Sequence, residues 1–152
     1  MKIYFATHAT TTDKEIGERF KDIKIDLICC SDLKRAINTV KIAFRDNYPI
    51  VADKRLRELN YGDFNGKPSE VVEPMKKEHK KEPYPNGESY EEALARVQDF
   101  YRELREKHPD KTVLVVGHRA TQYGLDTLAG GKTIEECLSV PFKWQPYWEY
   151  NL

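Results

Sequence analysis

The chain has 152 residues, enough for one ordinary domain with a sizeable core that needs no disulfide or metal staples. Its 25 basic and 25 acidic residues cancel. That excludes the electrostatic footprint of a nucleic-acid binder or of a protein lying on an anionic membrane, and leaves at most a local basic pocket for a small anion. The three cysteines, Cys29, Cys30 and Cys137, are odd in number and two are adjacent in an apolar stretch. This is a poor start for a disulfide framework, so a reducing, cytoplasmic setting is expected. Residues 1–20 carry Lys2, Asp13, Lys14 and Glu15 and one short apolar run, so neither a signal peptide nor a membrane span is expected.

The first element is Ile3-Tyr4-Phe5-Ala6-Thr7, an apolar, β-favouring run that suits a strand covered on both faces, and it delivers His8 into a hydroxyl-rich turn. Thr12 and Glu15 match a capping box, and Ile16, Phe20 and Ile23 continue at helical spacing, which predicts a helix over 12–23. A second buried strand is expected over 25–30, followed at once by Ser31 and Asp32 as helix-start signals. Leu33, Ala36, Ile37, Val40 and Phe44 then form one apolar stripe, with Lys34, Asn38 and Lys41 left to solvent. Residues 50–52 read as a short third strand.

The segment 56–66 lacks a sustained period and contains Gly62 and Gly66, the pattern of a structured loop. Residues 67–87 are dense in Lys, Glu and Pro and read as a solvated helix and connector, or one wall of a cleft. Ser89 and Glu92 make a second capping box. Tyr90, Leu94, Val97, Tyr101 and Leu104 mark the inner face of the long helix that follows, which Pro109 helps to stop. Val113-Leu114-Val115-Val116 is the clearest buried strand; it runs into Gly117-His118-Arg119 and a helix ending near Gly130. Trp144, Tyr147, Trp148 and Tyr150 suit a last strand covering a sheet edge. The alternation predicts a three-layer α/β sandwich with a mostly parallel central sheet flanked by helices, in one domain spanning 1–152. Ligands of such sheets sit beyond the carboxyl ends of the strands, where His8, Ser31 to Arg35, and His118 all fall.

Five separated motifs together resemble the histidine phosphatase superfamily, with its phosphoglycerate mutase-like fold. They are the strand ending in His8; Ser31-Asp32-Leu33-Lys34-Arg35-Ala36; Leu56-Arg57-Glu58 with Tyr61-Gly62-Asp63-Phe64-Asn65-Gly66; Pro85-Asn86-Gly87-Glu88-Ser89; and Val113 to His118. The resemblance implies that His8 is the nucleophile that becomes phosphorylated, that Arg35 and His118 hold the phosphoryl group, and that Glu58 is the general acid. The chemistry suits these residue types. Imidazole has a reference pKa of about 6.5, so a neutral nucleophile is available near pH 7, and a covalent phosphohistidine splits hydrolysis into two steps. Phosphoryl transfer asks chiefly for cations and donors around the non-bridging oxygens. No cofactor or metal is implied, because cationic side chains perform that neutralisation. The implied partner is a small phosphorylated substrate, with no nucleic acid and no membrane.

The chain departs from the usual Arg-His-Gly of the family: it has Thr7-His8-Ala9. Thr7 offers a neutral hydroxyl where a guanidinium is usual. Arg119, standing where a small residue is common, and Lys14 are the candidates to supply the missing charge. The region from Asn60 to Ser89 lacks the long insertion of the cofactor-dependent mutases, which favours phosphatase over mutase activity. A catalytically weak phospholigand-binding or regulatory protein is the alternative from a different class.

Overall fold

The computed structural model describes residues 1–7 and 12–152; the expected nucleophile His8 lies outside the described residues, as do Ala9, Thr10 and Thr11. Five strands, β1 (Lys2–Thr7), β2 (Leu27–Cys30), β3 (Ile50–Ala52), β4 (Thr112–Gly117) and β5 (Trp148–Asn151), form one sheet in the order β3-β2-β4-β1-β5. The first four are parallel, and β5 runs antiparallel along the outer edge of β1. This is the mostly parallel α/β sheet expected, with the aromatic tail covering an edge.

Alternation along the strands separates two cores. Ile3, Phe5, Leu27, Cys29, Val113 and Val115 face α4 (Tyr90–Lys107) and α5 (Arg119–Leu128), meeting Val97, Phe100, Tyr101, Leu104 and Leu125. Tyr4, Ala6, Ile28, Cys30, Leu114 and Val116 face the other way, onto Ile16 and Phe20 of the α1 region (Asp13–Arg19) and Val40 and Phe44 of α2 (Lys34–Phe44). Because both faces are covered, the strands read as continuous apolar runs rather than as alternating ones. Burying each Leu, Ile or Val side chain contributes about 1.5–3 kcal/mol, so the sheet is a rigid platform for whatever its carboxyl edge carries.

Both capping boxes form: Thr12 with Glu15 opens α1, and Ser89 with Glu92 opens α4. The second strand begins at Leu27 rather than at residue 25, and two helix boundaries shift. The first helix stops at Arg19 because Phe20 turns inward, with its ring against Tyr4 and Phe44. The second helix takes Leu33 as its cap, since Asp32 is drawn into an ion pair instead. The segment 67–87 is less solvated than its composition suggests. It contains α3 (Ser69–Val72), and it buries Tyr84 and even Lys76, whose ammonium reaches the Tyr123 hydroxyl at 3.1 Å and Glu73 at 2.8 Å. A short α6 (Ile134–Ser139), unanticipated from the sequence, packs Cys137 and Leu138 beside α5. All three cysteines are free and buried, and burial pushes the Cys30 and Cys137 thiols up to about 11, which leaves them unreactive at neutral pH. Among the described residues no helix is long and apolar enough to cross a membrane.

Candidate active site

The parallel pairing of β1 with β4 sets Thr7 opposite Gly117, so the chain entering His8 and the chain entering His118 leave the sheet side by side. Thr7 is buried at that strand end. Gly117 permits the close approach that follows: a Cβ there would lie 2.4 Å from Thr121 Oγ1 and 3.2 Å from Phe5 Cε2. Thr121, fully buried, then fixes the turn. Its hydroxyl accepts from the His118 amide at 2.7 Å and donates to the His118 carbonyl at 2.6 Å.

Beyond the strand ends lies a cavity of about 230 Å³ lined by Asp13 of α1, Arg35, Ala36 and Thr39 of α2, and His118. Arg35 stands in the first turn of its helix, where the exposed amide ends also favour an anion. Glu58 reaches the same neighbourhood from the loop after β3. Its Oε1 accepts from its neighbour's amide, Leu59, at 2.8 Å and from the Ala120 amide in the first turn of α5 at 3.2 Å. Asp32 holds Arg57, the residue before Glu58, through a two-pronged pair at 2.6 and 2.8 Å, which ties the second motif to the third.

Burial holds the His118 imidazole below its ordinary range; the Glu58 carboxylate opposes that and the Arg35 guanidinium adds to it. These three groups therefore act on one another electrostatically, and His118 is a neutral ring at pH 7. Well above pH 6.5 both the folded and the unfolded His118 are neutral. As pH falls below 6.5, the unfolded chain takes one up while the folded one resists, so stability falls progressively through the lowered folded pKa. We expect urea midpoints to decline over that window in the wild type and less steeply in His118→Asn; parallel declines would contradict the assignment.

Lys14 and Arg119 do not line the described wall of this cavity. Lys14 is exposed on α1. The Arg119 guanidinium is turned to the other side of α5, where Nη2 donates to the Tyr123 hydroxyl at 3.0 Å and the plane lies over the Tyr123 and Phe142 rings. The wall instead includes Asp13, a carboxylate that was not anticipated from the sequence.

Arg96 is a functional candidate that the motifs do not include, and its partner Glu88 comes from the fourth motif. From α4, Arg96 Nη1 donates to the carbonyls of Arg55 (2.7 Å) and Arg57 (2.8 Å), and Nη2 donates to the carbonyl of Glu58 (3.1 Å). The other side of its fork meets Glu88 at 3.1 and 2.5 Å, and Glu88 also accepts the Asn60 amide at 2.9 Å. In return, Arg55 reaches back to Asp99 and Glu103 of α4. The loop that presents Glu58 is thus clamped from both sides. The signal was present: Arg96 falls three residues after Ala93 and four before Phe100, beside the apolar face of an amphipathic helix, where a cation is out of place unless acceptors await it. Gly62, at φ +55, completes the frame, since its Cα sits too close to the Pro85 carbonyl for any side chain (2.0 Å from a Cβ).

The family model described as histidine phosphatase superfamily (branch 1) matches residues 10–141. An uncharacterized phosphatase, PhoE, of Bacillus subtilis (strain 168) is 34% identical over 135 residues, covering 83% of this chain and 68% of its own length. Phosphoserine phosphatase 1 of Hydrogenobacter thermophilus is 32% identical over 115 residues, 69% of this chain, and the match spans only 54% of that protein. Among solved structures, Bacillus stearothermophilus YhfR superposes with a TM-score of 0.78 over 97% of this chain and 89% of that one at 20% identity, a likeness of fold. A phosphoglycerate mutase from Bacillus anthracis gives 0.69 over 88% of this chain and 82% of that one, at 18% identity. Family and relatives together support a phosphomonoester hydrolase of the histidine phosphatase type. The chain belongs to the histidine phosphatase superfamily.

Proposed function

We propose that the protein, acting as one domain, hydrolyses a small phosphomonoester without metal through a phosphohistidine at His8. The convergence of Arg35, Glu58 and His118 beyond the ends of β2 and β4, next to the strand that leads into His8, carries this reading. A ring nitrogen of His8 attacks phosphorus while the bond to the ester oxygen breaks, and the protonated Glu58 carboxyl gives its proton to the departing alkoxide. Water then attacks the phosphohistidine, Glu58 takes the water's proton, the P–N bond breaks and inorganic phosphate leaves. Arg35 and His118 hold the non-bridging oxygens, with Thr7 as a further donor. The test is a phosphomonoester screen in the presence of a chelator, with wild type and His8→Ala. Phosphate release that survives the chelator and vanishes in the variant supports the reading; release unchanged in His8→Ala sinks it.

Asp13 favours a second reading, a phospholigand-binding protein of weak turnover, because it places a negative charge in the wall beside Arg35 while Thr7 stands where the family's arginine is usual. Tight phosphate binding with no turnover would select it. On either reading Asp13→Asn removes a repulsion worth ~1 kcal/mol at a half-exposed site, so phosphate should bind about fivefold more tightly. Unchanged affinity in a competition assay would show that Asp13 does not face the anion. Phosphoryl transfer to a second hydroxyl in preference to water would instead select a mutase.

A further inference from the structure

Arg35 and the half-buried Asp13 line one cavity with opposite charges, yet among the described residues neither is paired with the other or with any other charged side chain. Two helices hold them there. Arg35 and Thr39, four residues apart on α2, project from the same side of it into the cavity wall. Asp13 opens α1, and Ile16, one turn on, is buried in the same core as Val40 and Phe44 of α2. This packing keeps the start of α1 beside the Arg35 turn of α2. At roughly 30 Å³ for each water-sized oxygen, a phosphoryl group on Arg35 and His118 leaves much of the 230 Å³ open, with Asp13 and Thr39 on its wall.

A carboxylate beside a phosphate subsite repels the phosphate, and a cation carried by the same ligand turns that repulsion into attraction. A metal ion is the other cation to weigh, but Asp13 stands alone: no group of three His, Cys, Asp or Glu side chains suited to a metal occurs among the described residues. We propose that Asp13 selects the alcohol part of the substrate, which is an aminoalkyl phosphomonoester: its phosphoryl group meets Arg35 and His118, and its ammonium donates to the Asp13 carboxylate and the Thr39 hydroxyl. The proposal rests on the reading that Arg35 and His118 hold the phosphoryl group, but it needs no turnover. An ammonium has three donors and no acceptor, so a carboxylate and a hydroxyl oxygen suit it. An alcohol bearing a second anionic group meets only repulsion from Asp13.

Alkylphosphonates separate binding from chemistry, because their P–C bond is not hydrolysed. 3-Aminopropylphosphonate and butylphosphonate are isosteric and differ by an ammonium against a methyl group. Titrated calorimetrically into the wild type at pH 7 with a chelator present, the amine should bind about tenfold more tightly, the size of one partly screened ion pair. Asp13→Asn should bring the two affinities together, the butyl compound gaining about fivefold and the amine losing about twofold. Both compounds are compared in one protein, so partial unfolding cancels from their ratio. Asp13→Glu keeps the charge on a longer stem and should retain part of the preference. Arg35→Gln should weaken both compounds and leave the amine ahead. No preference in the wild type, or a preference that survives Asp13→Asn, overturns the proposal. A preference seen only without the chelator assigns Asp13 to a metal ion and overturns it as well. Unchanged affinities in Arg35→Gln would sink the phosphoryl-site reading and the proposal with it, a failure distinct from one confined to the Asp13 variants.

Discussion

Glu58→Gln should lower kcat on alkyl phosphomonoesters by about a hundredfold to ten-thousandfold, the range for loss of a general acid–base group. The loss should depend on the leaving group. With 4-nitrophenyl phosphate the departing phenolate needs little protonation, so phosphorylation of His8 survives while attack by water is slowed. A burst of nitrophenolate followed by a slow steady rate is the expected trace. The Glu58 carboxylate is fixed by the Leu59 and Ala120 amides, and a glutamine preserves the side chain's size but cannot exchange the proton. Equal losses on both substrates without a burst would assign Glu58 a role in binding rather than proton transfer.

Arg96→Ala is expected to have the second large effect although Arg96 does not line the phosphate cavity. It removes five hydrogen bonds, three to the carbonyls of Arg55, Arg57 and Glu58 and two to Glu88. The Glu88 side chain is only 17% exposed and, among the described residues, keeps the Asn60 amide as its partner. Breaking a largely buried pair from one side costs about 2–4 kcal/mol of stability. Loosening the Glu58 loop by ~1 Å should cost kcat about a hundredfold. Circular dichroism and kinetics, both well below the unfolding midpoint, separate the two effects. Arg96→Lys keeps the charge but not the fork, so it should recover more stability than kcat. Full activity in a folded Arg96→Ala protein would show that the loop holds its own shape.

The parts of the fold decided by local chemistry were legible in the sequence: both capping boxes, the apolar stripes of α2 and α4, the β4 run and the edge strand carrying Trp148 and Tyr150. The parts decided by distant partners were not. Asp32 reads as a helix cap, yet Arg57, 25 residues away, captures it. Lys76 reads as solvated, yet Tyr123 draws it inside. At the site, Arg35, Glu58 and His118 come from three separate motifs, and the first two both act on the His118 ring. Arg119 was misplaced because spacing cannot tell on which side of α5 a side chain leaves, and here Tyr123 and Phe142 hold it opposite to His118. Asp13 was overlooked because it looks like an ordinary first-turn acid of α1, a favourable position whatever else it faces.

On the proposed mechanism phosphate passes through His8. Wild-type protein mixed with 4-nitrophenyl phosphate, quenched in alkali within a turnover and analysed by peptide mass spectrometry, should carry one phosphoryl group on the peptide containing His8. That label should be stable in alkali and lost in acid, increase in Glu58→Gln and be absent from His8→Ala. Rapid phosphate release with no labelled peptide in either protein, or a label on another residue, would contradict the account.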